Sequence, residues 1–574
     1  MNCRSREGVN HRCRRVHGGW LFFLSVISVF SVVSMCVGVP FLVYAQGPTG
    51  PDPATIAKPL ADAWPTFAGD YTSRRYSALK EINRSNVKNL ALAWVSRPAT
   101  GPRGGMPPTI IGGVGTREFT GGTLKGAILQ VDGILYVTAP DNVWAIDARD
   151  GREIWHYFWK TRGGTHIGNR GAGMWRNYLF FETPDNYLVS LDAKTGEERW
   201  HVEIADFDQQ YFSTAAPIIV GDHVIVGTGN DLDGPGFLQS FDPETGKLQW
   251  KLFTVPMNPG DPGLDTWPNL DAARHGGGHT WMPGSYDPET NLYIFGTGNP
   301  TPAYTGVARP GDNLFTCSLI AVNVNTGKMA WHFQMSPHDT HDWDAVQSPI
   351  LIDARVGGKP RKLVSVAARN GYFFTVDRLT REHITTTRYG SHTNWASGLN
   401  AKNAPIPDPA KEAVIPGTLV SPVEDGTNNW QPASYSPDTG LFYTQEYNAF
   451  NMLYLTDPDP RGSMGLGGKM RVDVGVVSRF LTAIEPATGK VVWRRPFSNH
   501  GGAGAGTGLL TTAGGLLFSG DGSGNFVAFD AKAGKPLWHT RIGTISNAPQ
   551  TYSVDGRQYV LVATGDTLWA FALN

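Results

Sequence analysis

The sequence predicts an all-β chain folded as a β-propeller. Three observations lead there. The composition is rich in Gly (69) and Trp (18), with 17% charged residues. A turn-and-tryptophan motif recurs along the chain, and short alternating apolar runs lie between its copies. Many short strands joined by glycine-rich turns give such a composition. A formal net charge of -1, with no basic stripe beyond the first fifteen residues, argues against a nucleic-acid partner.

The motif is an apolar residue, an acidic residue, two variable positions, usually Thr-Gly, three more residues and Trp. One copy runs from Ile146-Asp147 through Gly151 to Trp155. The next runs Leu191-Asp192-Ala193-Lys194-Thr195-Gly196 to Trp200, and a third Phe241-Asp242-Pro243-Glu244-Thr245-Gly246 to Trp250. Further copies end at Trp331, Trp493 and Trp538, and Asp377-Arg378-Leu379-Thr380 is a degenerate copy without the Gly and Trp. Asp and Thr hydrogen-bond a turn backbone, Gly takes the positive φ angle, and the chain returns as the next strand. Ile134-Leu135-Tyr136-Val137, Val224-Ile225-Val226 and Tyr559-Val560-Leu561-Val562 supply the strands. Small sheets repeated every ~40–50 residues make a propeller, with each Trp packed against the neighbouring blade. Longer gaps after Trp250 and Trp331 predict inserted loops, the natural place for chemistry.

The N-terminus reads differently. Arg4, Arg6, Arg12, Arg14 and Arg15 precede an apolar run from Trp20 to Tyr44, which ends in Val43-Tyr44-Ala45. This is a secretory signal peptide over residues 1–45, cut after Ala45; the run is also long enough for an uncleaved anchor. The expectation is a periplasmic protein with no membrane span after cleavage. Residues 46–63 read as a loose arm, and 46–574 as one domain. Cys3, Cys13 and Cys36 lie in the leader, leaving Cys317, so no internal disulfide forms. No Cys-x-x-Cys-His haem motif is present, and electrons leaving this chain need a separate carrier.

Specific strings then occur in a telling order. They are Trp64-Pro65-Thr66-Phe67-Ala68-Gly69-Asp70, Gly296-Thr297-Gly298-Asn299-Pro300 and Arg309-Pro310-Gly311-Asp312-Asn313. Pro337-His338-Asp339-Thr340-His341-Asp342-Trp343-Asp344, Ala368-Arg369-Asn370-Gly371 and Asn429-Trp430-Gln431-Pro432 follow. Together they resemble the quinoprotein alcohol dehydrogenases of the methanol/ethanol family, nearly to the C-terminus. The resemblance implies an eight-bladed propeller holding pyrroloquinoline quinone and a metal ion. It implies oxidation of an alcohol or aldehyde, with a soluble cytochrome c as electron acceptor.

On this resemblance, Asp231, Asn299 and Asp342 match the metal site, Asp231 standing where Glu is usual. Asp342 also matches the catalytic base. Oxygen ligands suit Ca²⁺. In an extended segment residues two apart face one side, so Asp344 joins Asp342, and this second acid resembles the lanthanide-using members. The ion is Ca²⁺ or a lanthanide. The bland alternative is a solvated acidic loop made by Asp339, Asp342 and Asp344.

For the quinone, Trp281, beside Thr280 in a glycine-rich run, matches the stacking floor. Arg170 matches the arginine that pairs with a quinone carboxylate. Arg369 matches the cation near the quinone oxygens, where positive charge stabilises the reduced form. Thr214, Thr228, Gly229, Asn230, Asn429 and Trp430 fall on further contact positions. There are departures. Gly164-Thr165 stands where the family has adjacent cysteines, with His166 as the substitute cover. Lys125 stands where a quinone-binding Glu is expected, either to pair with the cofactor or to abolish binding. Gly504-Ala505-Gly506-Thr507 lacks the usual Trp. The rival expectation is a propeller that has lost its cofactor and serves as a scaffold or ligand sensor.

Overall fold

The computed structural model describes residues 51, 56–57, 61–98, 123–162, 168–457, 465, 467–497 and 506–574. The leader and His166 lie outside them, as do Gly164, Thr165 and the 498–505 part of the glycine-rich stretch. The arrangement is propeller-type and nearly all sheet, with one short α-helix at Leu270–Arg274 among the described residues.

One sheet explains the rest. Its strands are Gly173–Trp175, Tyr178–Glu182, Tyr187–Asp192 and Glu198–Glu203, paired antiparallel in chain order. The first three are almost wholly buried, while the fourth mixes exposed and half-buried positions. A sheet covered on both faces reads as a continuous apolar run, and one that meets solvent alternates. Leu179, Phe180 and Phe181 obey the first rule and Glu198-Arg199-Trp200-His201 the second.

The turn between the third and fourth strands uses the motif as its chemistry dictates. Asp192 Oδ1 accepts the amides of Lys194 at 2.8 Å and Thr195 at 3.1 Å. The Gly196 amide returns to the Asp192 carbonyl at 2.8 Å, with Gly196 at φ 75°. A second reason for glycine lies across the sheet interface: a β-carbon at Gly196 would sit 2.6 Å from the Trp155 ring of the preceding sheet. Gly151 stands in the same relation to Trp94, Gly246 to Trp200, Gly327 to Trp250 and Gly534 to Trp493. Trp94, Trp155 and Trp250 also donate Nε1 to the carbonyls of Ala148, Ala193 and Val324, in the turn they cover. The degenerate copy keeps its turn without glycine. Asp377 Oδ1 accepts Leu379 and Thr380 amides, and Arg381 takes the left-handed position at φ 66°.

Eight sheets of four or five strands occur among the described residues, with two small two-stranded ones. Consecutive sheets share apolar cores. Met174, Leu179 and Val189 pack with Tyr136 and Val143 of the sheet before, and Phe180 and Leu188 with Val224 and Val226 of the sheet after. The last sheet packs on the first through Tyr552, Leu561, Leu135 and Trp144. It also takes Leu90–Ser96, from near the start of the fold, as the partner of Thr567–Leu573.

Residues 64–77 tie distant sheets together. Trp64 bridges to Gln130, and Tyr76–Ser77 pairs in parallel with Thr511 and Thr512. Arg75, 1% exposed, donates to the carbonyls of Leu509 at 2.9 Å, Phe67 at 3.2 Å and Pro549 at 2.7 Å. Three carbonyl acceptors repay part of the cost of burying that charge. The arm before it is not loose throughout: Ile56 is buried against this segment.

Candidate active site

The inserted loops meet at a buried cluster. Asp342 and Asp344 lie between Met329–Gln334 and Ile350–Val356. Their segment is irregular rather than extended, with Asp342 at φ 63°, so strand alternation is not what brings the two acids together. The turn is built by Asp339, whose Oδ2 accepts the amides of His341 at 3.3 Å and Trp343 at 3.1 Å. Arg309 holds the Asp339 carbonyl at 2.6 Å. His341 stacks on Trp343 with centroids 4.2 Å apart, and Trp343 Nε1 reaches the Val423 carbonyl. Asp339 is thus a turn-builder, and the acidic loop is buried, not solvated.

Arg369 joins the two carboxylates. Its Nη1 is 2.9 Å from Asp344 Oδ2 and its Nη2 3.3 Å from Asp342 Oδ2, while Nε binds the Glu424 carbonyl. All three side chains are buried. Burial pushes the Asp342 carboxyl well above its usual range, against Arg369, with Asp344 adding to the rise. Asp344 is raised for the same reason, opposed first by Arg369. Burial alone would weaken the Arg369 proton's hold, but Asp342 and Asp344 outweigh it. Asp344 is further bound at Oδ1 by the Asn299 amide at 2.6 Å and at Oδ2 by Trp281 Nε1 at 3.1 Å. Gly298 makes room for this, since a β-carbon there would lie 2.8 Å from Asp344 Oδ1.

Trp281 links this charged cluster to a second group. The Arg170 guanidinium lies 4.7 Å from the Trp281 ring and 5.5 Å from the Trp430 ring, a cation–π arrangement between two indoles. Arg170 is buried and donates Nη1 to the Thr214 hydroxyl and carbonyl. Its Nε has no partner among the described residues, and burial pushes its pKa down to about 9, against Glu182. Glu182 is fully buried with Oε1 unpartnered, and burial raises it well above the carboxylate range.

The other expected residues sit around this core with structural engagements. Thr280 donates its hydroxyl to the Phe237 carbonyl at 2.5 Å, while the buried Thr228 hydroxyl has no partner among the described residues. Gly229 lies against the Phe212 ring with no space for a β-carbon. Asn230 bridges the Gln209 carbonyl and the Leu232 amide. Asn429 spans the Asp425 carbonyl and the Trp430 amide. Asp231 packs its carbonyl on Gly465, and its charge acts on the buried His279 ring. Lys125 lies beside Gly168, two residues before Arg170.

The residues suit a flat anionic cofactor. Two indole faces, an arginine with a free N–H and an unpartnered Thr228 hydroxyl leave polar valence unspent in a buried place, which calls for a ligand. For a cation the donors fit in kind: they are buried oxygens of Asn299, Asp342 and Asp344. No three Asp, Glu, His or Cys side chains converge at metal distance among the described residues, and Arg369 supplies the counter-charge.

Sequence reasoning missed six residues here: Tyr304, Glu424, Lys469, Arg471, His279 and Glu182. Tyr304 donates to Asp342 Oδ2 at 3.3 Å. Lys469 ion-pairs with Glu424, and Arg471 lies 3.6 Å from the same carboxylate. Burial alone would raise Glu424, but Lys469 and Arg471 hold it below the usual range. His279 is buried with both ring nitrogens unpartnered among the described residues, and burial pushes its pKa down to about 4. Only Glu182 left a trace in the sequence, as a charge ending the apolar run Tyr178-Leu179-Phe180-Phe181.

Comparison with known proteins fits this geometry. Residues 64–389 match the family model described as glucose/ethanol/alcohol dehydrogenase, beta-propeller domain. Residues 478–574 match one described as outer membrane protein assembly factor BamB. The chain is 34% identical to the quinoprotein alcohol dehydrogenase PedH of Pseudomonas putida, over 86% of this chain and 84% of that protein. It is 32% identical to a 1-butanol dehydrogenase (cytochrome c) of Thauera butanivorans, over 88% and 74%. The crystal structure of a quinohemoprotein alcohol dehydrogenase from Comamonas testosteroni superposes with a TM-score of 0.80 at 31% identity, over 91% of this chain and 82% of that one. A europium-containing methanol dehydrogenase superposes at 0.77 with 26% identity, over 89% and 98%.

Proposed function

The chain belongs to the family of pyrroloquinoline-quinone-dependent alcohol dehydrogenases and is an enzyme of that type; from this premise we propose that it is an exported, periplasmic dehydrogenase oxidising a small alcohol or aldehyde, with electrons passed to a separate cytochrome c. We read its eight sheets as eight blades docked by tryptophans. The shared cores between consecutive sheets and the five glycine–tryptophan contacts support that reading.

The observation that carries the function is the double engagement of Trp281. Its face lies beneath Arg170 and its Nε1 is bonded to Asp344, so a stacking floor and a buried carboxylate pair share one side chain. Arg170, Thr214, Trp281 and Trp430 would hold the quinone, and Asp231, Asn299, Asp342 and Asp344 the cation. When bound, the quinone supplies hydride acceptance and the cation Lewis-acid polarisation. The chain supplies the rest. Asp342 takes the hydroxyl proton of the alcohol as general base. Its Oδ2 is fixed by Arg369 and Tyr304, and no donor is bonded to Oδ1 among the described residues, which leaves that oxygen for the proton. Arg369 offsets negative charge as it develops.

The leader supports export, and the lack of a haem-attachment motif supports a separate acceptor. The relative named for cytochrome c points the same way, and the europium-containing neighbour favours a lanthanide at Asp344. The test is the purified full chain with pyrroloquinoline quinone and either Ca²⁺ or La³⁺. Dye-coupled oxidation is then followed with ethanol, longer alcohols, glucose and aldehydes. Turnover with La³⁺ alone supports both the enzyme and the Asp344 argument. Turnover with Ca²⁺ alone keeps the enzyme and removes the lanthanide role. No quinone binding under either metal overturns the proposal.

A further inference from the structure

Lys469 opens the strand Lys469–Glu485, which pairs with Leu441–Leu455 along its whole length. The outer strand Lys490–Pro496 covers only the 480–485 end. Residues 469–478 therefore overhang the sheet body, paired among the described residues with one strand alone, with Arg471 reaching the Glu424 carboxylate. Met470, Val472, Val474, Val476 and Val477 on this arm are exposed. An arm with so little packing holds its position only if something anchors its tip.

The tip is anchored at the active site. Lys469 Nζ donates to the Tyr304 hydroxyl, lies 3.9 Å from the Tyr304 ring centroid, and pairs with Glu424 Oε2. Tyr304 is 2% exposed, and its hydroxyl donates to Asp342 Oδ2. Glu424 returns through its carbonyl to Arg369 Nε, and Arg369 reaches Asp342. Asp342, Tyr304, Lys469, Glu424 and Arg369 thus close a ring of five residues drawn from five separate segments, linked through side chains except at the Glu424 carbonyl. Asp342 needs such support, because its own backbone is left-handed and a side chain there has no regular element behind it.

We propose that Lys469 is a positioning residue, which through Tyr304 fixes the carboxylate of Asp342 for proton abstraction and pins the overhanging arm to the active site. The proposal rests on the assignment of Asp342 as base. A displacement of about 1 Å at a catalytic group costs up to ~100-fold in rate, so loss of the anchor should lower kcat by ~10- to 100-fold with little change in KM. Lys469→Arg keeps a cation and a donor on a long side chain and should restore kcat to within roughly threefold.

Two measurements decide it. The first is hydrogen exchange on the chain without cofactor, comparing Lys469→Met, Tyr304→Phe and Lys469→Arg with the parent. Faster exchange in the peptides around 300–308, 338–345 and 469–478 is expected for the first two and not for Lys469→Arg. Unchanged exchange in Lys469→Met overturns the anchor, whether or not the protein turns over. The second is steady-state kinetics of the loaded enzyme, with quinone affinity read separately from tryptophan quenching. The double variant Tyr304→Phe with Lys469→Met should be no slower than Tyr304→Phe alone, since Lys469 acts through that hydroxyl. Additive losses, or a fall in quinone affinity that matches the fall in kcat, overturn the positioning role. A parent enzyme with no turnover counts against the base assignment, and the exchange result still decides the anchor.

Discussion

The outer turns and the centre of this molecule solve opposite problems. At the turns, each carboxylate has its donors close in sequence: Asp192 is satisfied by residues two and three positions on, and Asp242 by Glu244 and Thr245. At the centre, partners come from far away. Arg369 meets acids 25 and 27 residues distant, and Trp281 meets one 63 residues distant. The turns leave little polar valence unspent, whereas Arg170, Glu182, Thr228 and His279 each keep an unpartnered buried atom among the described residues. Satisfied local turns make a frame that needs no ligand, and unsatisfied long-range clusters mark the place where one belongs.

The largest effect that would sharpen this contrast is catalytic. Asp342→Asn keeps the size of the side chain and leaves Arg369 paired with Asp344. Turnover should fall at least ~1000-fold, in the upper part of the range for loss of a general base, with an unchanged circular dichroism spectrum and melting transition. Activity within tenfold of the parent would remove Asp342 from the chemistry and return the centre to a merely structural role.

This contrast also explains what the sequence disclosed. The turns are periodic, so six copies of one motif and the alternation around them were enough to predict small repeated sheets. The degenerate copy was legible as far as Asp377 and Thr380, but no pattern rule places Arg381 at a positive φ. The central residues were legible only where they sat in recognisable strings, as Asn299, Asp342, Asp344 and Arg369 do. Tyr304, Glu424 and Lys469 stand outside such strings, and their meeting depends on three distant segments converging, which spacing cannot report. The extended-segment argument for Asp342 and Asp344 expected strand alternation to bring the two together; instead a turn built on Asp339 carries both to Arg369.

A smaller effect separates the two regions by pH. Glu182 sits in the centre with its carboxyl raised by burial well above the ordinary glutamate value of 4.5. A folded-state pKa raised in this way means the folded protein holds its proton more tightly than the unfolded chain. The resulting stability is fully present below about pH 4.5 and is lost as pH rises through the folded-state value. Glu182→Gln removes that loss. The variant should gain in melting temperature relative to the parent at pH 7 more than at pH 4. A parallel shift at both values would mean that Glu182 is neutralised by a partner in the folded state, and that the centre is better satisfied than it looks.

The smallest effect tests the turns from within. Trp155 and Trp200 occupy equivalent places in consecutive sheets, and each covers the glycine of the next turn, Gly196 and Gly246. They differ in one bond: Trp155 Nε1 donates to the Ala193 carbonyl at 3.1 Å, whereas Trp200 Nε1 is buried without a partner among the described residues. Replacing either with Phe removes a similar area of indole, so the loss from packing should be alike. The hydrogen bond is then the difference, at about 1 kcal/mol. Trp200→Phe recovers in addition the cost of burying an unpaired N–H, which widens the gap. Denaturant unfolding should therefore find Trp155→Phe less stable than Trp200→Phe by roughly 1–3 kcal/mol. Equal losses would show that packing of the ring on glycine, and not the N–H, is what joins sheet to sheet, and the turns would then depend on shape alone while the centre depends on charge.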